Sequence, residues 1–327
     1  MRIAVTGSIA TDHLMQFPGR FTDQLIADRL ETVSLSFLVD ELEVRRGGVA
    51  ANIAFGLGRL GLRPVLVGAV GADFDGYRAW LEENGVDTDS VHVSSTAQTA
   101  RFMCTTDLAQ NQIASFYAGA MAEAAGISLK ETLAAGGGAD LVVVSPNDPE
   151  AMVRHTEEAR ALGIPFLADP SQQLARLSGE QVRTLVDGAR YLFTNEYESA
   201  LLLERTGWTE DEVLTRVGAW ITTLGPRGAQ IRQTGLPTVT VAAVPELNVA
   251  DPTGVGDAFR AGFLAAVSWG LDHEDAARLG CACATVVLES IGSQDQRLGA
   301  EGVVARIRQA YGTETADLLA KHLAVTA

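Results

Sequence analysis

Lysine is nearly absent from this chain of 327 residues, whose 25 lysines and arginines include only two lysines, Lys130 and Lys321. Neither lysine follows a glycine-rich stretch, which excludes the Gly-Lys-Ser/Thr end of a P-loop. Neither lies in a Val-Ala-Ile-Lys strand, which excludes the phosphate-binding lysine of a protein kinase. If the chain binds a nucleoside triphosphate, it must hold the phosphates by another route.

Cysteine is also scarce, and the three residues form an odd set: Cys104, Cys281 and Cys283. Cys281 and Cys283 lie in an apolar stretch that predicts small buried thiols, and a metal or redox pair is the alternative. No apolar run approaches the roughly 18 residues of a membrane-spanning helix. We interpret residues 1–15 as a strand followed by a loop rather than as a secretory signal. These features predict a reduced, cytoplasmic protein with no membrane partner.

Basic residues are fewer than acidic ones, 25 against 41, so the formal net charge is −16. Nucleic-acid binding needs clustered Lys and Arg, so we predict no nucleic-acid partner. Gly56-Leu-Gly-Arg-Leu-Gly61 matches a dinucleotide-binding pattern, but it ends an amphipathic stretch instead of following a strand. Gly61 is therefore predicted to end a helix, and an oxidoreductase remains only as an alternative based on these glycines.

Short apolar runs alternate with helical patterns along most of the chain. The runs predict strands at residues 3–6, 64–67, 141–145, 165–168, 191–194 and 219–223. The helical patterns cover residues 50–60, 77–84, 149–162, 178–188, 197–206 and 257–269. Such repeats predict a mostly parallel sheet with helices on both faces. Ligands bind such sheets at the carboxyl ends of the strands, so the loops after strands are candidate sites.

Two segments, residues 30–46 and 98–118, are strand-rich and contain no helical pattern. They do not fit the central sheet, and we predict a small β lid built from about residues 13–46 and 97–118. Residues 32–39 alternate polar with apolar side chains, which predicts a strand with one face to bury. No linker or repeat indicates a second domain, so residues 1–327 are expected to form a single one.

The stretch Asp251-Pro-Thr-Gly-Val-Gly-Asp257 begins a helix shortly after a predicted strand at 238–244. Gly254 and Gly256 let the backbone turn tightly and approach a ligand closely. At a helix start the amides of Gly254, Val255, Gly256 and Asp257 are unpaired donors that favour an anion such as a phosphate. Asp257 then lies where phosphoryl transfer requires a general base. A simple helix cap is the alternative, but a cap does not require two glycines.

This stretch resembles the Asp-Thr-x-Gly-Ala-Gly-Asp signature of the PfkB, or ribokinase-like, carbohydrate kinase family. Pro252 and Val255 depart from that signature, and both aspartates and both glycines match it. Arg46-Gly-Gly-Val-Ala-Ala-Asn52 resembles the family's glycine pair before a helix. The resemblance implies a ribokinase-like three-layer α/β/α sandwich and ATP-dependent phosphorylation of a hydroxyl group, with Asp257 as the base.

Two further motifs occur in the family's order. Asn195-Glu-Tyr-Glu198 resembles the Asn-x-x-Glu motif, which implies that Asn195 and Glu198 bind Mg²⁺ through water; a polar helix start is the alternative. The second motif resembles the nucleotide loop, and an ordinary β-turn is the alternative. The resemblance implies ATP contacts from Asn195, Gly256 and the loop residues Thr223, Leu224, Gly225, Pro226, Arg227 and Gly228.

Within the family, the chain is similar to the actinobacterial type of adenosine kinase. The similarity lies in residues 7–15, 99–107, 113–117 and 169–176. It implies that Phe102 and Phe116 hold a purine between them, with Gln172 and Gln173 near its edge; packing of the lid on the core is the alternative role of the two rings. It also implies substrate contacts from Ser8, Asp12, Gly48, Asn52 and Asp257, in which Asp12 accepts hydrogen bonds from a vicinal diol.

The sequence therefore predicts an adenosine kinase that uses Mg²⁺ and transfers the ATP γ-phosphate to the 5′-hydroxyl of adenosine, giving AMP and ADP in purine salvage. The resemblance also implies a homodimer formed through the lid, with Ser36 reaching into the partner's site. A ribokinase or fructokinase, another nucleoside kinase, and a nonenzymatic sensor of purine nucleosides remain as alternatives.

Overall fold

The computed structural model describes residues 1–25, 34–295 and 299–323. Two sheets lie within these ranges. Their strands are β1 (Ile3–Thr6), β2 (Ala10–Gln16), β3 (Glu41–Gly47), β4 (Val65–Val70), β5 (Val91–Val93), β6 (Ala100–Thr106), β7 (Gln112–Tyr117), β8 (Leu141–Val144), β9 (Phe166–Ala168), β10 (Tyr191–Asn195), β11 (Ala219–Thr223), β12 (Ala229–Arg232) and β13 (Val239–Val241).

The helices of the same ranges connect and cover these strands. They are α1 (Phe21–Gln24), α2 (Val49–Arg59), α3 (Asp75–Glu83), α4 (Leu129–Gly136), α5 (Pro149–Ala161), α6 (Gly179–Val186), α7 (Glu196–Thr206), α8 (Glu210–Leu214), α9 (Val255–Ser268), α10 (His273–Leu288), α11 (Ala300–Tyr311) and α12 (Thr313–Leu323). Each predicted strand and helix of the central layers is present, with bounds shifted by at most a few residues. Gly61 follows α2 with a φ of 80°, as predicted for a glycine that ends a helix.

The large sheet has nine strands in the order β13-β12-β11-β10-β9-β8-β1-β4-β5. Strands β11 to β5 of this order are all parallel, and only β12 and β13 pair antiparallel at one edge. The prediction of a mostly parallel central sheet is therefore confirmed. The carboxyl ends of the parallel strands lie at one edge of the sheet, where the candidate loops follow them.

Alternating side chains of β1 show how the sheet is buried on both faces. Ile3 and Val5 belong to a core shared with α2, α9 and α10, whereas Ala4 belongs to a second core shared with α5 and α6. Successive side chains of a strand point to opposite faces, so two buried faces require continuous apolar strands. This arrangement is the three-layer α/β/α sandwich that the sequence predicts. No helix of the described ranges is long and apolar enough to cross a membrane.

The second sheet is the predicted lid, with strands in the order β3-β2-β6-β7. One expectation was wrong: residues 10–15 are not a loop, because β2 runs through them as a central strand of the lid. Residues 34–39 are not a strand either, and residues 26–33 of the predicted lid lie outside the described residues. Among the described residues, 34–39 pair with no strand, because Glu41–Gly47 takes the place beside β2.

Candidate active site

Helix α9 begins at the glycine-flanked stretch, with Gly254 as its N-cap. Gly254 has a φ of 77°, in the left-handed region, and a Cβ added there would overlap the side chain of Ser293. Only glycine therefore fits this turn without strain. The amides of the first turn have no acceptor within the helix, but the Val255 amide is not an unpaired donor as predicted, because it donates to the Pro252 carbonyl at 3.4 Å. This start, residues 254–257, is called the cradle below.

The carboxylate of Asp257 does not cap the helix. No side chain caps the start of α9, and Asp257 Oδ2 instead accepts a hydrogen bond of 2.8 Å from Asn52 Nδ2. Burial raises the pKa of Asp257 to about 7, although the positive charge of Arg260 and the Asn52 bond both lower it. A carboxyl group with a pKa near neutrality is suited to take up a proton from a substrate hydroxyl.

Asn52 is held in one orientation by its own partners. Its Oδ1 accepts hydrogen bonds from Ser293 Oγ at 3.0 Å and from Gln294 Nε2 at 2.9 Å. The amide Nδ2 is therefore the end that faces Asp257. Tyr77 extends this network, since its hydroxyl donates to the Gly47 carbonyl at 2.9 Å. Gln294 Nε2 also donates to the Tyr77 hydroxyl, so the network connects the glycine pair at the start of α2 with the carboxylate of Asp257.

Arg260 lies one turn after Asp257 and is almost completely buried, with 6% of its surface exposed. Its Nη1 donates to the Gly256 carbonyl at 2.9 Å, and its Nη2 donates to Asp169 Oδ1 at 2.6 Å. Asp169 follows β9 and is 1% exposed. The ion pair thus ties the cradle to the carboxyl end of a central strand.

The residues predicted to contact the sugar and the base lie side by side across the lid sheet. Together with Arg45 they form a set of four, Arg45, Asp12, Phe102 and Phe116, called the lid row below. Asp12 pairs in register with Arg45 on one side and with Phe102 on the other, and Phe102 pairs with Phe116. Paired residues of a sheet point to the same face, so these four side chains share one face of the lid. Arg45 Nη1 donates to Asp251 Oδ2 at 2.9 Å, which directs this face towards the loop before α9.

Asp12 is an unusual carboxyl group of the lid. Burial raises its pKa to about 6, the positive charge of Arg45 lowers it, and the negative charge of Asp251 raises it. Asp12 and Asp257 both act electrostatically on the buried Tyr77 hydroxyl, whose pKa is raised mainly by burial. The two carboxylates therefore act on the same buried hydroxyl.

Ser8 and Gly48 form the junction between β1, β2 and α2. Ser8 Oγ accepts a hydrogen bond from the Val49 amide at 3.0 Å, and its O–H remains a donor. Gly48 has a φ of 94°, and a Cβ there would lie 2.6 Å from Ser8 O. The close approach that demands glycine at this position is thus to the protein's own backbone.

A cavity of about 490 Å³ opens beside the cradle. It is lined by Val255 and Gly256 and by four residues of the predicted nucleotide loop, Thr223, Gly225, Pro226 and Gly228. Apolar side chains, including Val249 and Phe259, form the rest of its wall. Leu224 and Arg227 belong to the same loop but not to this wall, and Arg227 forms an ion pair with Glu196. The cavity has the size and the apolar lining expected of a nucleotide site.

Asn195 and Glu198 cap the start of α7. Asn195 Oδ1 accepts from the Glu198 amide at 2.8 Å, and Glu198 Oε2 accepts from the Asn195 amide at 2.7 Å. These two residues therefore form the polar helix start that was the alternative interpretation of this motif. Glu198 Oε1 accepts only from Ser171 Oγ, so the carboxylate keeps lone pairs for a water molecule.

The two glutamines after β9 have different environments. Gln172 is exposed, whereas Gln173 is 7% exposed and its Nε2 donates to the Asn147 carbonyl at 2.8 Å. Gln173 Oε1 is buried without a hydrogen-bond partner, and so is Asn147 Nδ2. Unpaired buried polar atoms are costly, so they mark a place where a ligand can supply the partner. Ser36 is exposed.

The sequence interpretation missed Asp169, Arg260 and Asn147 as site residues. An arginine inside the apolar helical stretch after Asp257 was the available signal for Arg260, since an unpaired charge is rarely buried. No local pattern indicates Asp169 or Asn147, because their importance depends on contacts between distant segments.

Comparison with known proteins agrees with this geometry. The family model for "pfkB family carbohydrate kinase" matches residues 8–298. A nucleoside kinase of Methanothermobacter thermautotrophicus is 32% identical over 299 residues, which is 88% of this chain and 92% of that protein. The structure of the Burkholderia thailandensis nucleoside kinase in complex with inosine is 36% identical, has a TM-score of 0.80, and covers 95% of this chain and 98% of that chain. A Methanocaldococcus jannaschii nucleoside kinase, an archaeal member of the ribokinase family, has a TM-score of 0.83 at 26% identity over 94% of this chain and 98% of that one. The chain therefore belongs to the PfkB family of carbohydrate kinases, which are ATP-dependent phosphotransferases.

Proposed function

We propose that this enzyme transfers the γ-phosphoryl group of ATP to the 5′-hydroxyl of a nucleoside, with adenosine as the preferred acceptor, giving AMP and ADP for purine salvage. The observation that carries the proposal is the lid row, which places a carboxylate, Asp12, beside two aromatic rings, Phe102 and Phe116, on one face. A carboxylate suits a ribose diol and the rings suit a planar base. The inosine complex of the Burkholderia relative supports a nucleoside rather than a free sugar.

In the proposed mechanism Asp12 holds the ribose hydroxyls while Asp257 takes the proton from the 5′-hydroxyl. The first-turn amides of the cradle stabilise the charge of the phosphoryl group in transit, in place of a lysine. Magnesium, when bound with ATP, would neutralise part of the phosphate charge. Asn195 and Glu198 would hold it through water, since their direct hydrogen bonds already cap α7.

The base edge is assigned to the loop after β9. The free Gln173 Oε1 is a fixed acceptor, because the Nε2 of the same amide is held by the Asn147 carbonyl. Adenine and hypoxanthine each carry an N–H group that can donate a hydrogen bond to this oxygen. Gln172, which is exposed, lies next to it and would join the base contact when the lid closes.

A substrate screen tests the proposed function. Purified enzyme with Mg-ATP is assayed for ADP release with adenosine, inosine, cytidine, ribose and fructose. We expect adenosine to give the highest kcat/KM and inosine to be its nearest rival. Faster turnover of ribose or fructose than of any nucleoside would show a sugar kinase. Nucleoside binding without ADP release would show a sensor.

Replacing both lid rings, Phe102→Ala with Phe116→Ala, should lower kcat/KM for adenosine by about 10²-fold, because stacking contributes ~1–3 kcal/mol per base. Ribose turnover should change little. Leu236→Ala is the control, since Leu236 is an exposed apolar residue between β12 and β13, outside the lid. Equal losses with ribose and adenosine would contradict the base contact.

We also propose that the enzyme is a cytoplasmic homodimer joined through the lids. Leu42 and Val44 of β3 are 60% and 56% exposed, and they lie on the face opposite Asp12 with Ile113, which is 50% exposed. Exposed apolar faces of this kind are typical of interfaces. Buried thiols at Cys281 and Cys283, whose pKa values burial raises to about 11 and about 12, suit a reducing compartment.

The variant Leu42→Lys with Val44→Lys should dissociate the dimer, because two charges would be buried in an apolar interface. Sedimentation velocity at micromolar concentration measures the change. Val93→Lys is the control, since Val93 is also exposed, at 45%, and lies on the edge strand of the other sheet. A wild-type enzyme that sediments as a fully active monomer would contradict the proposed dimer.

A further inference from the structure

The ion pair between Arg260 and Asp169 lies beneath the cradle and is not explained by stability. Arg260 Nε lies 2.6 Å from Asp169 Oδ2, in addition to the Nη2 bond, and both side chains are buried. Removing two charges from water costs as much free energy as their attraction returns, so a buried pair is weak evidence for stability. Its position beside the catalytic helix indicates a functional role.

The guanidinium group contacts the cradle directly. Its Nη1 hydrogen bond to the Gly256 carbonyl fixes the peptide group that carries the Asp257 amide. Arg260 and Asp257 are three residues apart on α9, so they share one face of the helix. Arg260 also lies over the ring of Phe193, 5.6 Å from its centroid, which prevents the long side chain from moving aside.

The charges that act on Asp257 come from few groups. Arg260 is on the same helix, and Asp169 approaches from the loop after β9. Asn52 contributes a neutral hydrogen bond from α2, and the neutral Tyr77 hydroxyl lies on α3. Glu198, at the start of α7, acts on the ion pair rather than on Asp257. Burial has the largest effect on the pKa of Asp257 and raises it, while the cation of Arg260 and the anion of Asp169 shift that pKa in opposite directions.

We propose that Arg260 is a positioning residue for phosphoryl transfer, which fixes the Gly256 peptide of the cradle and keeps the Asp257 carboxylate ionised, while Asp169 limits that effect. The inference rests on the proposed function, because it takes Asp257 as the general base. A cation near a buried carboxyl favours its charged form, and a second carboxylate opposes it. The two halves of the ion pair therefore act on Asp257 in opposite directions.

The test measures kcat/KM for adenosine as a function of pH. On the acidic limb of this profile, kcat/KM should rise with pH as Asp257 loses its proton. Arg260→Gln removes the cation, which raises the pKa of Asp257 and moves the limb to higher pH by about one to two units. Asp169→Asn removes the anion, which lowers that pKa and moves the limb to lower pH. The double variant should place the limb between those of Arg260→Gln and the wild type, because Arg260 affects the pKa of Asp257 more than Asp169 does.

Arg278→Gln is the matched control, since Arg278 is a partly buried, ion-paired arginine of α10 outside the site. It should leave the limb unchanged. A structural role alone would lower activity at every pH without opposite shifts, and that result would overturn the inference. If circular dichroism shows that Arg260→Gln does not fold, Asp169→Asn alone tests the inference. A shift of its acidic limb to lower pH would support the inference, and any other result would overturn it. Near-normal turnover of Asp257→Asn would instead refute the role of Asp257 as the base, and the substrate screen tests the proposed function separately.

Discussion

Asp257→Asn should lower kcat by about 10²–10⁴-fold, the usual cost of losing a general base. An amide has the size of the carboxylate, and its oxygen can still accept the hydrogen bond from Asn52 Nδ2. The cradle amides and the lid row remain in place, so adenosine should bind with nearly unchanged affinity. Coupled ADP release measures kcat, and isothermal titration calorimetry measures binding.

The control for this variant is Asp75→Asn. Asp75 is also an acidic residue in the first turn of its helix, α3, but it is exposed. Loss of a helix-dipole interaction alone would affect both variants in the same way, through stability of about 0.3–1 kcal/mol. Turnover of Asp257→Asn within a few-fold of the wild type would refute its role as the base.

Gly254→Ala should lower kcat by about 10²-fold, the cost of misplacing one donor to the reacting charge. The new methyl group would overlap the Ser293 side chain, which donates to Asn52 Oδ1. Relief of that overlap moves the start of α9 or displaces Ser293, and either change disturbs the contact between Asn52 and Asp257. Single-turnover kinetics separate this loss of chemistry from a loss of binding.

Gly270→Ala is the control that separates the strain of a positive φ from the overlap with the Ser293 side chain. Gly270 follows the C-terminus of the same helix with a φ of 82°, and a Cβ there meets nothing within 4 Å. Both variants place alanine in the left-handed region, at a cost of about 1–2 kcal/mol in stability. Only Gly254→Ala should lose activity in the folded enzyme. Equal activity of the two variants would contradict the assignment of the cradle.

The central layers were predictable from the sequence because their strands are buried on both faces. The runs at β1 and β11 are continuous and apolar, and their predicted bounds match the structure. The lid was harder, since β2 carries polar residues that form a strand only through pairing with β3 and β6. Such pairing between distant segments leaves no local pattern.

The site was predictable where backbone chemistry determines the residue type. Gly254 has a positive φ and no room for a side chain, and this constraint is visible in the sequence as a glycine before a helix. The roles of Asp169 and Arg260 were not visible, because they depend on a contact across 91 positions. The Asn195 to Glu198 motif was visible but ambiguous, since the same residues make an ordinary capping box.

The hydrogen bond from Arg45 to Asp251 joins the lid to the loop before α9, and so connects the two proposed substrate sites. Arg45 extends from the strand that borders Asp12, and Asp251 accepts the Gly292 and Thr253 amides in the loop leading to α9. A nucleoside that holds the lid down would therefore also order the loop that receives the nucleotide. By thermodynamic reciprocity, we expect occupancy of either proposed site to tighten binding at the other, so that the two substrates bind with positive cooperativity.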